Sequence, residues 1–425
     1  MIRPITSMLM TAITASLTLI QLISEQTVQN LLPILRLKPV GLVHLATPKT
    51  VSRSALIAEA ARKAQCPVTL ETIQLSAMPT MKETMQATLA AIERAGGAGK
   101  SALVNFTGGT KLMSIGAYAA ALKNKTPSLY VDTQDGVFID GQTGEGISTL
   151  LDGDLSFTPI LQTLSVDAIA MANGLNRVTA GRDWTPLLPL AEHLFAHPED
   201  EKQTHAAFYG PDGLCPNGRE PRDPKQWLTV LDREIRLPDP CCRLAVQANL
   251  LRPGSTQHGA RLPDRIRGEL QTLANAGNRR VPQFASRRQA AIAPLQQAIA
   301  FLSGAWWEVI IAERMKLCGR FRDIRWSVQV GARKGPDLEE DVVALEGVQL
   351  VYVSCKRGGA KARLLPLLNE INDRARSLGG AFTRRFLAVR FKPEGPTLAN
   401  LKKRAGELGI RLLFPVDLEQ ADPFA

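Results

Sequence analysis

No two of the six cysteines in this 425-residue chain stand in a Cys-x-x-Cys pair, and only Cys241 and Cys242 are adjacent. That spacing makes neither a zinc motif nor a disulfide framework, and it predicts a reducing, cytoplasmic setting. A Gly-x-Gly-x-x-Gly fingerprint is also missing, which weighs against a Rossmann-type small-molecule enzyme even though Asp132 is available for a ribose. "GGAGKS" at 96–101 ends like a phosphate-binding P-loop, but Arg94 stands where the first glycine belongs. It also follows a predicted helix rather than a strand, so it reads as a plain loop. Hydrophobic residues make up 45% of the chain, which excludes both general disorder and a multi-span membrane protein. From Pro4 to Ser24 there is no charge, about the length of a bilayer span. Thr6, Ser7, Thr11, Thr14, Ser16 and Thr18 make that run too polar for lipid, so an extended start and no membrane attachment are expected. One charge sign is in excess: 51 Lys and Arg against 40 Asp and Glu give +11, which points to a polyanionic partner.

What is present first is alternation. Strands at 17–23, 41–46, 68–75, 102–106 and 128–133 are separated by helices at about 26–37, 52–65, 81–95 and 111–123, and "GVFIDG" follows at 136–141. Such spacing predicts right-handed crossovers and a doubly wound parallel sheet. Ligands of such sheets bind beyond the carboxyl ends of the strands. Three polar loops fall at that edge: "SEQTVQN" (24–30), "ATPKT" (46–50) and "FTGGTK" (106–111). Ser24, Gln26, Thr27, Asn30 and Thr47 are the candidate contacts of the first two. Residues 151–289 are rich in Pro and Gly and read as a small helical or winged-helix connector, with "CCRLAVQANLL" open between strand and helix. A third unit, 290–425, opens with a long amphipathic helix and continues as strands of a mixed sheet.

"NFTGGTKLMSIGAYAAA" (105–121) carries the most chemistry in the first unit. Gly108 and Gly109 let backbone approach a ligand, and the first N–H groups of the following helix lie at its positive end. Lys111 adds a mobile charge, and Asn105, Thr107 and Thr110 add polar groups. Phosphate suits such a turn.

In the last unit, "EEDVVALEGVQLVYVSCK" (339–356) reads as a hairpin. Asp341 leaves the start of its first strand, and period-two alternation sends Ser354 and Lys356 to one face of the second. Glu308 is the carboxylate of the preceding helix. Carboxylates facing a lysine are what a divalent-metal phosphodiesterase requires.

This hairpin resembles the core of the PD-(D/E)xK nucleases, with Asp341 as the aspartate and Lys356 as the lysine. Ser354 stands where that family has Glu or Asp, a departure that leaves a hydroxyl, a water and the Cys355 carbonyl to complete the metal set with Glu308 and Asp341. "NFTGGTKLM", together with "LISEQTVQNLLPILRLKP", resembles the ligand signature of CARF domains. Over most of its length the chain is similar to the ring-nucleotide-activated nuclease effectors of type III CRISPR systems. That resemblance implies a Rossmann-like CARF sensor over 1–150 and a restriction-endonuclease-like α/β domain over 290–425. It also implies activation by cyclic tetra-adenylate, a homodimer, Mn²⁺ or Mg²⁺, and cleavage of single-stranded nucleic acid. The alternative is a CARF-type ligand-sensing regulator that binds nucleic acid and carries an inactive nuclease-like domain.

Overall fold

The computed structural model describes residues 17–96, 101–141, 146–151, 153–216, 221, 223–275, 282–332, 337–357 and 364–425. The start of the uncharged N-terminal stretch and positions 97–100 of the 96–101 loop lie outside them. The first sheet contains β1 (Leu17–Leu22), β2 (Gly41–Ala46), β3 (Thr69–Gln74), β4 (Ser101–Asn105), β5 (Ser128–Asp132) and β6 (Val137–Asp140). Its order is β3-β2-β1-β4-β5-β6, parallel throughout except for the β5–β6 hairpin at one edge. Central β1 is largely apolar on both faces and wholly buried, as a strand covered by helices on both sides requires. Edge strand β3, "TLETIQ", carries polar residues and is largely exposed. The crossover helices are α1 (Val28–Leu37), α2 (Val51–Lys63), α3 (Met81–Gly96) and α4 (Lys111–Lys123). The doubly wound expectation holds, with helix ends within two residues of those read from the sequence.

Helix α5 (Val166–Ala172) then leads to β7 (Arg177–Val178), which joins the C-terminal sheet rather than staying within the connector. The middle region contains α6 (Leu188–Ala196), α7 (Pro198–Tyr209), α8 (Pro224–Asp232), α9 (Asp239–Gln247) and α10 (Arg267–Asn275). Strands β8 (Ile235–Arg236), β9 (Arg252–Pro253) and β10 (Gly259–Arg261) form a small antiparallel sheet among them. The undecided "CCRLAV" segment is helical, within α9.

The predicted long helix of the last unit is interrupted. Helix α11 (Pro282–Ala300) passes through a wide turn at Phe301–Ala305, kinked at Gly304, before α12 (Trp306–Leu317). Residues 289–317 are long and apolar enough to cross a bilayer, but the chain packs most of them inside its core. The second large sheet comprises β11 (Phe321–Gly331), β12 (Leu338–Glu346), β13 (Gln349–Lys356), β14 (Arg384–Val389) and β15 (Ile410–Leu413). Helices α13 (Leu364–Gly379) and α14 (Gly395–Glu407) are the crossovers to β14 and β15. Its order is β15-β14-β13-β12-β11-β7, parallel across β13-β14-β15 and antiparallel elsewhere, a mixed sheet as expected.

Apolar packing ties these units together. Leu19, Leu42 and Leu103 of the first sheet share a core with α5, with Leu345 and Tyr352 of the second sheet, and with Leu368 of α13. The other face of the second sheet, through Val342, Val351 and Phe386, packs on α12 and on middle-region helices including α6 and α9.

Candidate functional site

The three polar loops emerge from the carboxyl ends of β2, β1 and β4, which are neighbours in the sheet. Fold topology therefore brings the candidate ligand residues to one edge. Several of them spend their polar groups inside the protein. Asn105, fully buried, donates from Nδ2 to Gln21 Oε1 (3.0 Å) and to the Gln29 carbonyl (3.1 Å). Its Oδ1 accepts from the Thr107 N–H (3.1 Å) and hydroxyl (2.7 Å), while Thr107 Oγ1 accepts from the Val131 N–H at 2.7 Å. Asn30 is fully buried and donates to the Leu22 carbonyl (2.9 Å). Ser24 Oγ accepts from the Gln26 N–H, and Thr47 Oγ1 pairs with Thr50 Oγ1. Thr110 caps α4, its hydroxyl accepting from the Met113 N–H at 3.3 Å. These residues shape the edge.

The groups left over are the ones suited to a ligand. Gly108 packs so closely on β1 that a Cβ would stand 2.2 Å from the Leu22 carbonyl oxygen, and Gly109 takes φ +76°. Only glycine lets the turn lie that low and open the N-terminus of α4. Lys111 stands exposed on the first turn of that helix, and no ion pair among the described residues involves it. In the 24–30 loop, Gln26 Oε1, Thr27 Oγ1 and Asn30 Oδ1 are buried without hydrogen-bond partners. Glu25 and Lys49 join two of the loops through an exposed ion pair at 2.8 Å, which holds the Glu25 carboxyl below its ordinary pKa.

Behind this edge runs a ladder that the sequence reading missed. Gln21 donates to His44 Nε2 at 3.3 Å, His44 Nδ1 bonds Ser54 Oγ at 2.8 Å, and Ser54 bonds Thr72 Oγ1 at 2.7 Å. With Asn105, these groups cross four adjacent strands in register. Burial pushes the His44 pKa down to about 3, with the Ser54 contact opposing. Gln21, His44 and Asn105, polar residues within the largely apolar strands β1, β2 and β4, were the available signal.

At the second site, Asp341 is the hub. Its Oδ2 accepts from Lys356 Nζ (2.9 Å), Ser354 Oγ (3.1 Å) and the Cys355 N–H (2.6 Å). Side-chain alternation breaks at this point of β12. Val342 packs on the α12 side, whereas Glu340 pairs with Arg374 of α13 at 3.3 Å. Opposite Asp341, Ser327 on β11 takes φ +50°. Glu308, in the first turn of α12, lies close enough for Asp341 and Glu339 to act on it. Burial first, then those two carboxylates, push its pKa well above the usual carboxylate range, with Lys356 and Arg182 opposing. Burial works against the Lys356 charge, but Asp341, joined by Cys355 and Glu308, raises the lysine pKa. Glu308, Asp341, Ser354, Cys355 and Lys356 thus come together. Arg182 and Glu339 were missed: alternation from Asp341 could have found Glu339, but nothing local marks Arg182. Beside the cluster runs a groove of about 450 Å³ lined by Arg182, Gln289, Gln297, Trp326 and Glu339.

The carboxylates crowd one corner faced by a lysine and an arginine, a donor set that fits a hard divalent cation. Glu308 and Asp341 are the residues that would hold it.

Residues 18–143 match the family model of the Card1 CARF domain, so the N-terminal sheet is of the CARF type. The whole architecture is shared with Can2 from Sulfobacillus thermosulfidooxidans, solved in complex with cyclic tetra-adenylate: TM-score 0.62, 17% identity, 97% of each chain covered. Protein VC1899 from Vibrio cholerae superposes with a TM-score of 0.65 at 14% identity over 96% of each chain. A type III CRISPR defence DNA nuclease activated by cyclic oligoadenylate gives a TM-score of 0.50 at 16% identity, covering 89% of this chain and 47% of that one. No curated protein matches the chain by sequence. At these identities the shared property is the fold.

Proposed function

We propose that this protein is a divalent-metal-dependent nuclease switched on by cyclic tetra-adenylate and acting on single-stranded DNA or RNA in type III CRISPR defence. The observation that carries the reading is the pairing, within one chain, of a CARF-type sheet edge and a separate carboxylate–lysine corner. At the first site, the amides of the α4 N-terminus and Lys111 would meet phosphates. A two-fold ring calls for two copies of that edge. Leu112 and Ile115 on α4, 54% and 52% exposed beside Lys111, are suited to a homodimer contact.

At the second site, a bound cation supplies polarisation of the phosphodiester and a water of lowered pKa. Glu308 and Asp341 would hold that cation, with the Cys355 carbonyl available as a further oxygen. Lys356, kept protonated by Asp341, would stabilise charge on the phosphate. The deciding experiment incubates the protein with Mn²⁺ or Mg²⁺ and labelled single- and double-stranded DNA and RNA, with and without cyclic tetra-adenylate. Activator- and metal-dependent cutting of single strands is expected. Tight activator binding without cleavage under any condition would favour a ligand-sensing regulator instead, a reading that rests on Ser354 in place of the second hairpin carboxylate.

A further inference from the structure

Three helices of the middle region bring together a nitrogen, an oxygen and a sulfur donor. His193 lies on α6, Asp200 in the first turn of α7, and Cys241 in the first turn of α9. One ligand atom from each lies within 4.8 Å of the other two. His193 Nε2 and Asp200 Oδ2 are 2.7 Å apart, with 15% and 26% of their side chains exposed, whereas Cys241 is fully buried. A second observation points into the same space. Thr204, one turn beyond Asp200, is fully buried, and its hydroxyl lies against the Cys241 thiol. We propose that His193, Asp200 and Cys241 form a zinc site in the middle region, with a water as fourth ligand.

Donor chemistry selects the ion. A thiolate with an imidazole and a carboxylate suits Zn²⁺ better than the hard cations expected at the Asp341 corner. Binding would displace the thiol proton and break the contact between His193 and Asp200. Their 2.7 Å contact would open by roughly 0.6 Å, to the ligand–ligand spacing of a tetrahedral site.

The position gives such a centre a use. Glu201, next to Asp200, is 1% exposed and accepts from Arg357 Nε at 2.5 Å, and Arg357 directly follows Lys356. Glu201 also faces Arg390 Nε at 3.6 Å, while Arg390 donates to the carbonyl of Phe195 on α6 at 2.9 Å. Helices α6 and α7 therefore grip the ends of β13 and β14, and a zinc ion would clamp those helices to each other and to α9.

The test uses tag-free full-length protein prepared without chelator. Elemental analysis should find roughly one zinc per chain. Exchange to Co²⁺ should give a thiolate-to-cobalt charge-transfer band and tetrahedral d–d bands. Both should vanish in Cys241→Ser and weaken in His193→Gln, yet persist in Asp341→Ala, which separates this centre from the nuclease metal. A folded wild-type chain with no zinc and no cobalt thiolate band, or bands undiminished in Cys241→Ser, would overturn the proposal. Both variants keep size and polarity, and circular dichroism confirms that they fold.

Discussion

Gly380 lies against Gln26: a Cβ on this glycine, which takes φ +82°, would stand 3.1 Å from Gln26 Oε1. A loop at the carboxyl edge of the first sheet thus touches the turn that ends α13. The same helix carries Arg374, which donates to the Glu339 carbonyl at 2.8 Å and pairs with Glu340, the two residues preceding Asp341. Asn173 adds a parallel link, bonding Arg53 on α2 and the Leu378 carbonyl on α13. If α13 carries the signal, Arg374→Gln should reduce activator-stimulated cleavage by roughly 2- to 30-fold, the span of 0.5–2 kcal/mol of coupling. Glutamine keeps a donor for buried Glu340. Activator affinity from calorimetry should change far less, and an equal loss in both would mean that α13 does not transmit.

Gly108→Ala should weaken activator binding more than Lys111→Ala. The alanine Cβ meets backbone at 2.2 Å, so the whole turn must move. Lys111→Ala removes one charge-assisted contact worth roughly 1.5–3 kcal/mol, about 10- to 150-fold in Kd. Calorimetric titration with cyclic tetra-adenylate measures both, and unchanged affinity in Lys111→Ala would remove that residue from the site.

His44 makes stability fall in acid. Its pKa is about 3 in the folded chain and near 6.5 unfolded, so below pH 6.5 the unfolded state binds the extra proton. Stability from this group is complete above that pH and declines by about 1.4 kcal/mol per pH unit as pH drops toward the folded value. Urea midpoints at neutral and mildly acid pH should show a shallower decline for His44→Gln than for wild type.

Asp341→Ala and Lys356→Ala should each abolish cleavage while leaving activator affinity within about twofold, because the two sites stand on different sheets. Ser354 offers a finer test, since its hydroxyl sits 3.1 Å from Asp341 Oδ2. Ser354→Glu places a carboxylate beside the metal and should lower the Mg²⁺ and Mn²⁺ concentrations for half-maximal cleavage at saturating activator. Metal dependence identical to wild type would mean that residue 354 does not face the cation.

Leu112→Lys combined with Ile115→Lys should produce a monomer in sedimentation velocity, with far-ultraviolet circular dichroism unchanged. Both side chains are more than half exposed, so the folded protomer loses little by their replacement. A dimer of undiminished strength would move the interface elsewhere.

The alternation of strands and helices, the glycine turn and the Asp341–Lys356 hairpin were all legible in the chain itself, because each depends on periodicity or on conformations open only to glycine. Within the turn, residue type alone could not separate a ligand contact from a brace. Asn105 and Thr107 bond each other, and only folding showed that their polar groups are already taken. Glu339 and Arg182 reach the carboxylate corner through the β11–β12 pairing and a connector loop, with no local pattern to mark Arg182. Cys241 looked like half of an adjacent cysteine pair. Its neighbours His193 and Asp200 come from other helices, and a donor set drawn from three helices exists only where packing brings their faces together.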